Sequence, residues 1–134
     1  MTDIKLGKEK KLTIAVDFDG TVVVHTYPKM GRDIGASQVL KELTAKGHKI
    51  ILFTMRDGAE LAQAVAWFEH NDIPLYAIND NPSQHSWTRS LKVYANMYID
   101  DLALGTPLIH DDDTNTEYVD WDSIRAELEE RTIL

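Results

Sequence analysis

The stretch TIAVDFDGTVV, residues 13–23, places two aspartates directly after a short apolar run. Leu12 to Val16 is rich in β-forming residues and predicts a buried strand. Residues two apart on a strand face the same side, so Asp17 and Asp19 point toward one site while Phe18 points into the core. An isolated pair of this kind is usually a solvated turn or a helix cap. Directly after a buried strand, the pair indicates instead carboxylates that need a counter-charge.

The rest of the chain alternates between predicted strands and helices. Further strands are predicted at Lys49–Thr54, Leu75–Ile78 and Met97–Ile99. Helices are predicted from a cap at Ser37 to a stop at Gly47, from a cap at Asp57 to about Asn71, over Thr88–Tyr94, and after Asp120. The segment 79–83 (NDNPS) has the composition of a turn. This alternation predicts an α/β domain with a mainly parallel central sheet.

Three of the predicted strands end at a small polar or acidic residue. Asp17 follows the first strand, Thr54 closes the second, and Asp100 with Asp101 follows Met97–Ile99. Ligands of parallel sheets bind outside the carboxyl ends of the strands. Mg²⁺ prefers hard oxygen ligands and often shares substrate phosphates. These residues therefore predict a Mg²⁺ site at one edge of the sheet.

The order of DFDGT, Thr54, Lys92 and Asp100–Asp101 resembles that of the haloacid dehalogenase (HAD) superfamily of phosphohydrolases. The resemblance runs from about Leu12 to Leu104, and DFDGT is its most specific motif. It implies a three-layer, Rossmann-like HAD-type fold. It also implies a Mg²⁺-dependent phosphatase that hydrolyses a phosphate monoester through an aspartyl phosphate.

The resemblance implies a role for each matched position. Asp17 is the expected nucleophile, and Asp19 the expected general acid and then base. Thr54 and Lys92 are expected to bind the phosphoryl group. The expected metal ligands are Asp17, Asp19 through its backbone carbonyl, Asp101 directly, and Asp100 close by.

The chain is expected to form a single domain over 1–134 without a separate cap domain. Segment 22–36 is long enough only for a flap, and the 37 residues between Thr54 and Lys92 already contain a predicted helix, strand and turn. A site without a cap domain suits a larger substrate, or it is covered by a second subunit. A homo-oligomer is therefore one of the expected possibilities.

Two further residues are candidate substrate contacts. His25 lies in the flap, and Arg56 follows Thr54 closely enough to reach a substrate anion. His25 is also an ordinary residue for a surface loop. The expected partners are phosphorylated substrates: a nucleotide, a nucleic-acid end, a sugar phosphate or a phosphoprotein.

Composition limits the remaining possibilities. The net charge of −8 argues against a broad nucleic-acid surface. No apolar stretch approaches the roughly 20 residues that span a bilayer, and the first residues do not resemble a signal peptide. With no cysteine available for disulfides or thiolate metal sites, a cytoplasmic protein without a membrane partner is expected.

The segment 105–120 is expected to be a solvated acidic loop before the last helix. Asp111, Asp113, Asn115 and Asp122 match positions of a calcium-binding EF-hand loop. However, Thr116 stands where that loop requires Gly, and no helix precedes it. A bound cation is therefore not favoured there.

A function without turnover is the alternative to a phosphatase. Receiver domains also combine acidic residues, Thr and Lys on an α/β sheet and accept a phosphate on Asp, and an inactive HAD-like domain could bind phosphate alone. In receiver domains the phospho-acceptor lies on the third strand, apart from the acidic pair. Here the acidic residues fall in the first and last motifs, which favours the hydrolase.

Overall fold

Four parallel strands form the central sheet. The computed structural model describes residues 10–134. In chain order the strands are β1 (Thr13–Val16), β2 (Lys49–Leu52), β3 (Ala77–Ile78) and β4 (Met97–Ile99). Their order across the sheet is β3-β2-β1-β4, and each neighbouring pair is parallel. The predicted α/β class with a mainly parallel sheet is thus confirmed, and β1, which leads into DFDGT, is an inner strand.

Helices cover one face of this sheet, and an irregular segment covers the other. The helices are α1 (Ala36–Ala45), α2 (Gly58–His70) and α3 (Trp121–Glu130), with a 3₁₀ helix at Pro82–Ser86. Buried residues of all three α-helices join Ile14 and Val16 in one cluster. On the opposite face Ala15 packs with Val93 and Ala95. This arrangement is compatible with the Rossmann-like three-layer class. Within residues 10–134, no helix has the length and apolar character needed to cross a bilayer.

The segment Thr88–Tyr94 is irregular, so the helix predicted there is wrong. The Gln84 side chain binds the backbone of this segment. Its amide donates to the carbonyls of Ser90 and Lys92, and its carbonyl accepts the Tyr94 N–H at 2.8 Å. These bonds satisfy backbone groups that a helix would otherwise have paired.

Helix α1 is capped by Asp33, so the cap predicted at Ser37 is also wrong. The Asp33 carboxylate accepts hydrogen bonds from the N–H groups of Gly35 and Ala36, both at 3.0 Å. Gly35 adopts a φ of 98°, which lets the helix start one residue before Ser37. The predicted stop at Gly47 (φ 93°) and the predicted helix start after Asp57 are confirmed.

The segment predicted as an acidic loop is a β-hairpin. Strands β5 (Leu108–Asp111) and β6 (Thr116–Val119) pair antiparallel. Asp111 is buried and accepts hydrogen bonds from Arg32 at 3.0 Å and from the Thr114 hydroxyl at 2.7 Å. These bonds compensate the burial of its charge, which the acidic composition of the segment did not reveal.

The flap and the hairpin both contact the turn that follows β1. In the flap, residues 22–36, the Val23 carbonyl accepts the Gly20 N–H of the turn at 2.8 Å. In the β5–β6 hairpin, the Val119 N–H donates to the Gly20 carbonyl at 3.0 Å. The turn carrying DFDGT is therefore supported from two sides.

Candidate functional site

Three carboxylates meet at the carboxyl edge of the sheet. Asp17, Asp100 and Asp101 each offer one oxygen atom, and these atoms lie within 4.8 Å of one another. The pairing of β1 with β4 continues one residue further, because the Asp17 N–H donates to the Ile99 carbonyl at 3.0 Å. That pairing places residues separated by more than 80 positions at one point.

The Thr21 hydroxyl bridges two carboxylates of this cluster, Asp17 and Asp101. It lies 3.0 Å from Asp17 Oδ2 and 3.1 Å from Asp101 Oδ1, and it accepts the Asp101 N–H at 2.9 Å. Gly20 makes the approach possible, since a Cβ there would lie 2.4 Å from Asp101 Oδ2. Thr21 was missed as a site residue, although its place in DFDGT is the sequence signal that would have found it.

The carboxylate cluster carries a high electrostatic cost. Burial, the hydrogen bond with Asp101 and the charge of Asp100 raise the pKa of Asp17 to about 8. Burial is also the main cause that raises the pKa of Asp101. A bound cation would relieve this repulsion, and clustered carboxylate oxygens are the ligands that a hard divalent cation such as Mg²⁺ prefers. The residues present therefore fit such an ion.

The Asp19 side chain lies apart from this cluster, in an ion pair with Arg56. Arg56 donates from Nε to Asp19 Oδ2 at 2.8 Å and from Nη2 to Asp19 Oδ1 at 2.7 Å. The Arg56 side chain is completely buried. These hydrogen bonds raise the pKa of Arg56 further above its ordinary value. Ligation by the backbone carbonyl of Asp19, and a contact of Arg56 with substrate, stay predictions.

Thr54 is held in place by Asn79. Asn79 accepts the Thr54 N–H at 2.8 Å and donates to the Thr54 carbonyl at 3.0 Å. The Thr54 hydroxyl in turn accepts the Arg56 N–H at 3.1 Å. Asn79 was read from the sequence only as part of a turn, because its partner lies 25 positions earlier in the chain.

One cavity of about 440 Å³ brings most of the predicted site residues together. Its lining includes Asp17, Asp19, His25, Tyr27, Thr54, Met55, Arg56, Asp101 and Leu102. At its mouth Met55 and Leu102 are 96% and 88% exposed. Asp100 belongs to the carboxylate cluster but not to this lining.

Lys92, like Asp100, is a predicted site residue that does not line this cavity. It is exposed, in the irregular segment before β4. Its backbone N–H donates to the Ser90 hydroxyl at 3.1 Å. Its contact with a phosphoryl group stays a prediction.

Comparison with known proteins adds one relative. No protein-family model matches the chain, and no curated protein matches it. Among solved structures, a conserved protein coded by a locus of Bacteroides thetaiotaomicron is similar, with 35% sequence identity and a TM-score of 0.74. The similarity covers 91% of this chain and 93% of that one. The chain therefore belongs to the same family as this conserved protein from Bacteroides thetaiotaomicron.

Proposed function

We propose that the protein is a Mg²⁺-dependent phosphatase of the HAD superfamily, which hydrolyses a phosphate monoester through an aspartyl phosphate on Asp17. The observation that carries the proposal is the carboxylate cluster at the end of β1. Its carboxylate oxygens, from Asp17 and from the two aspartates that follow β4, lie within 4.8 Å of one another. Asp17 also lines a cavity together with Asp19 and Thr54. That combination suits phosphoryl transfer, in which positioning and charge neutralisation contribute most of the catalysis.

Two steps divide the proposed reaction. In the first, a carboxylate oxygen of Asp17 attacks phosphorus and the bond to the leaving oxygen breaks. Asp19 has to enter this step protonated, and it donates that proton to the leaving oxygen. In the second, Asp19 takes a proton from water as the water attacks phosphorus. Inorganic phosphate leaves and the Asp17 carboxylate is restored. Asp19 suits this double role because it lines the same cavity while standing outside the carboxylate cluster.

Bound Mg²⁺ would supply charge neutralisation for the carboxylates and the transferring phosphoryl group. Asp17 and Asp101 would hold it, with Asp100 and the Asp19 backbone carbonyl as further candidate ligands. The raised pKa of Asp17 supports a resident cation, because an ionised Asp17 beside Asp100 and Asp101 is costly without one.

Thr54 is the proposed hydrogen-bond donor to the phosphoryl oxygens. Its hydroxyl accepts the Arg56 N–H, so its own proton remains available for a substrate oxygen. Lys92 is the proposed counter-charge and would have to reach in from the neighbouring loop. This assignment of Lys92 rests on the HAD resemblance rather than on a contact.

The open mouth of the cavity supports a substrate that extends beyond its phosphate. Exposed apolar groups at Met55 and Leu102 border the entrance, and His25 and Tyr27 of the flap line it. A nucleotide, a nucleic-acid end, a sugar phosphate or a phosphoprotein would each place its phosphate inside and its larger part at this mouth. A panel of phosphate esters separates these classes.

Hydrolysis of p-nitrophenyl phosphate tests the proposed chemistry. The wild type is assayed with Mg²⁺ and with EDTA, beside Asp17→Asn and a control variant, Asp112→Asn, whose side chain is 99% exposed. We expect turnover that needs both Mg²⁺ and Asp17 and that is unchanged in the control. Turnover retained by Asp17→Asn would contradict the proposed mechanism. A stable phosphoprotein after acetyl phosphate treatment, without phosphate release, would favour the receiver-like alternative.

A further inference from the structure

We propose that Arg56 is a positioning residue that fixes the Asp19 carboxylate for protonation of the leaving group. This inference rests on the proposed phosphatase function. Among the residues that the structure describes, Arg56 makes every side-chain hydrogen bond received by the Asp19 carboxylate. Two parallel bonds of 2.8 and 2.7 Å fix both the place and the plane of that carboxylate. Each oxygen accepts one bond from Arg56 and keeps a second lone pair, which can carry the proton that Asp19 transfers.

The Arg56 guanidinium has no donor left for a substrate anion. A guanidinium has five N–H donors. Besides the two bonds to Asp19, Arg56 donates to the backbone carbonyls of Lys29 at 2.9 Å and Glu60 at 3.2 Å, with a longer contact to Pro28 at 3.5 Å. A substrate phosphate could bind Arg56 only by breaking bonds inside a completely buried group. The geometry therefore points to an action through Asp19.

Through Arg56, these contacts link the Asp19 carboxylate to two separate parts of the fold. Pro28 and Lys29 belong to the flap, and Glu60 lies in the first turn of α2. The guanidinium also lies against two aromatic rings, 5.1 Å from the centroid of Phe18 and 5.2 Å from that of Tyr27. Arg56 is thus fixed on several sides, and it transmits that rigidity to Asp19.

A fixed Asp19 matters most where the leaving group is poor. When the bond between phosphorus and an alkyl oxygen breaks, that oxygen needs the proton from Asp19, because an alkoxide is a very poor leaving group. A p-nitrophenolate leaves with little help. A misplaced Asp19 should therefore slow alkyl esters more than p-nitrophenyl phosphate, since general acid catalysis contributes about 10²–10⁴-fold where it is needed.

Arg56→Lys is the variant that tests this role. Lysine keeps the buried positive charge but cannot form two parallel bonds to one carboxylate. The matched control is Arg125→Lys. Arg125 makes a similar two-bond pair with Glu42, at 2.9 and 2.8 Å, and does not line the cavity. Arg56→Gln is a second variant, which removes the buried charge in case lysine impairs folding.

The readout is kcat/KM and kcat with Mg²⁺ on p-nitrophenyl phosphate and on β-glycerophosphate, an alkyl ester. We expect Arg56→Lys to lose at least about tenfold more activity on the alkyl ester than on p-nitrophenyl phosphate. Arg125→Lys should keep the wild-type ratio. Arg56→Lys should add no further ester selectivity in an Asp19→Asn background, because both substitutions remove the same step.

Equal losses on the two esters would overturn the positioning role and leave Arg56 with a purely structural one. A raised KM on both esters with unchanged kcat would also overturn it, in favour of a substrate contact. Failure of the proposed function has a different signature, since the wild type would then hydrolyse neither ester.

Discussion

Replacing Asp17 by Asn is expected to stabilise the metal-free protein at pH 8, although it removes the proposed nucleophile. Burial and the neighbouring Asp101 and Asp100 raise the pKa of Asp17 from 3.8 to about 8. Between these two pH values the folded protein holds a proton that the unfolded chain has lost. The free energy of unfolding therefore falls as the pH rises through this window, and the cost of the charge is complete above pH 8.

The size of this effect follows from the pKa shift. One pKa unit corresponds to about 1.4 kcal/mol, so a shift of about four units sets an upper limit of roughly 5 kcal/mol at pH 8. The electrostatic cost is divided between Asp17 and Asp101, and Asp17 is only partly buried. We therefore expect Asp17→Asn to raise the free energy of unfolding by about 2–4 kcal/mol. Asn keeps the shape of the side chain. Its carbonyl can accept from Thr21, and its amide can donate to Asp101.

Thermal unfolding in EDTA at pH 8 and pH 5 measures the effect. For a chain of this size a gain of 2–4 kcal/mol corresponds to a Tm increase of roughly 5–15 °C. At pH 5 at least half of the gain should disappear, because wild-type Asp17 is then protonated in the folded state. Asp112→Asn, at a 99% exposed position, should change neither value. An Asp17→Asn variant no more stable than wild type at pH 8, or equally stabilised at both pH values, would refute the reasoning.

Three further predictions concern the same region. Mg²⁺ at about a hundred times its dissociation constant should stabilise the wild type by about 2.7 kcal/mol in thermal unfolding; no shift would contradict a metal site. Gly20→Ala should lower stability by about 1–3 kcal/mol, since Gly20 has a φ of 81° and its Cβ would lie 2.4 Å from Asp101. Calorimetry should also show weaker Mg²⁺ binding, and unchanged binding would contradict the role of the turn. Phe18→Ala should cost about 3–5 kcal/mol in urea unfolding, because the ring is fully buried; a loss below about 1 kcal/mol would contradict its place in the core.

Local patterns were sufficient for the elements that place the carboxylates. The apolar runs before Asp17 and Asp100 predicted β1 and β4, and parallel pairing of these strands brings their following residues to one edge. The pattern failed where a side chain outside the predicted element replaces the hydrogen bonding expected within it. The Gln84 side chain binds the backbone of the segment that was predicted as a helix. Asp33, which precedes the predicted cap Ser37 by four residues, caps α1.

The β5–β6 hairpin was not predicted because its strands contain charged residues, which are typical of a solvated loop. Composition described 105–120 as solvated, whereas Arg32 in the flap provides a partner for Asp111 and allows its burial. The sequence contains no local sign of that partner, which lies 79 positions away.

The amino-acid sequence by itself determined the α/β class, the buried strand that leads into DFDGT, and the acidic and threonine residues at the strand ends. Apolar periodicity and turn residues are local properties, and they fix these features. Only the tertiary structure decided how the side chains pair. Arg56 binds Asp19 across 37 positions and Thr21 contacts Asp101 across 80, because hydrogen-bonding partners are set by where the flap, the turns and the strand ends meet in space.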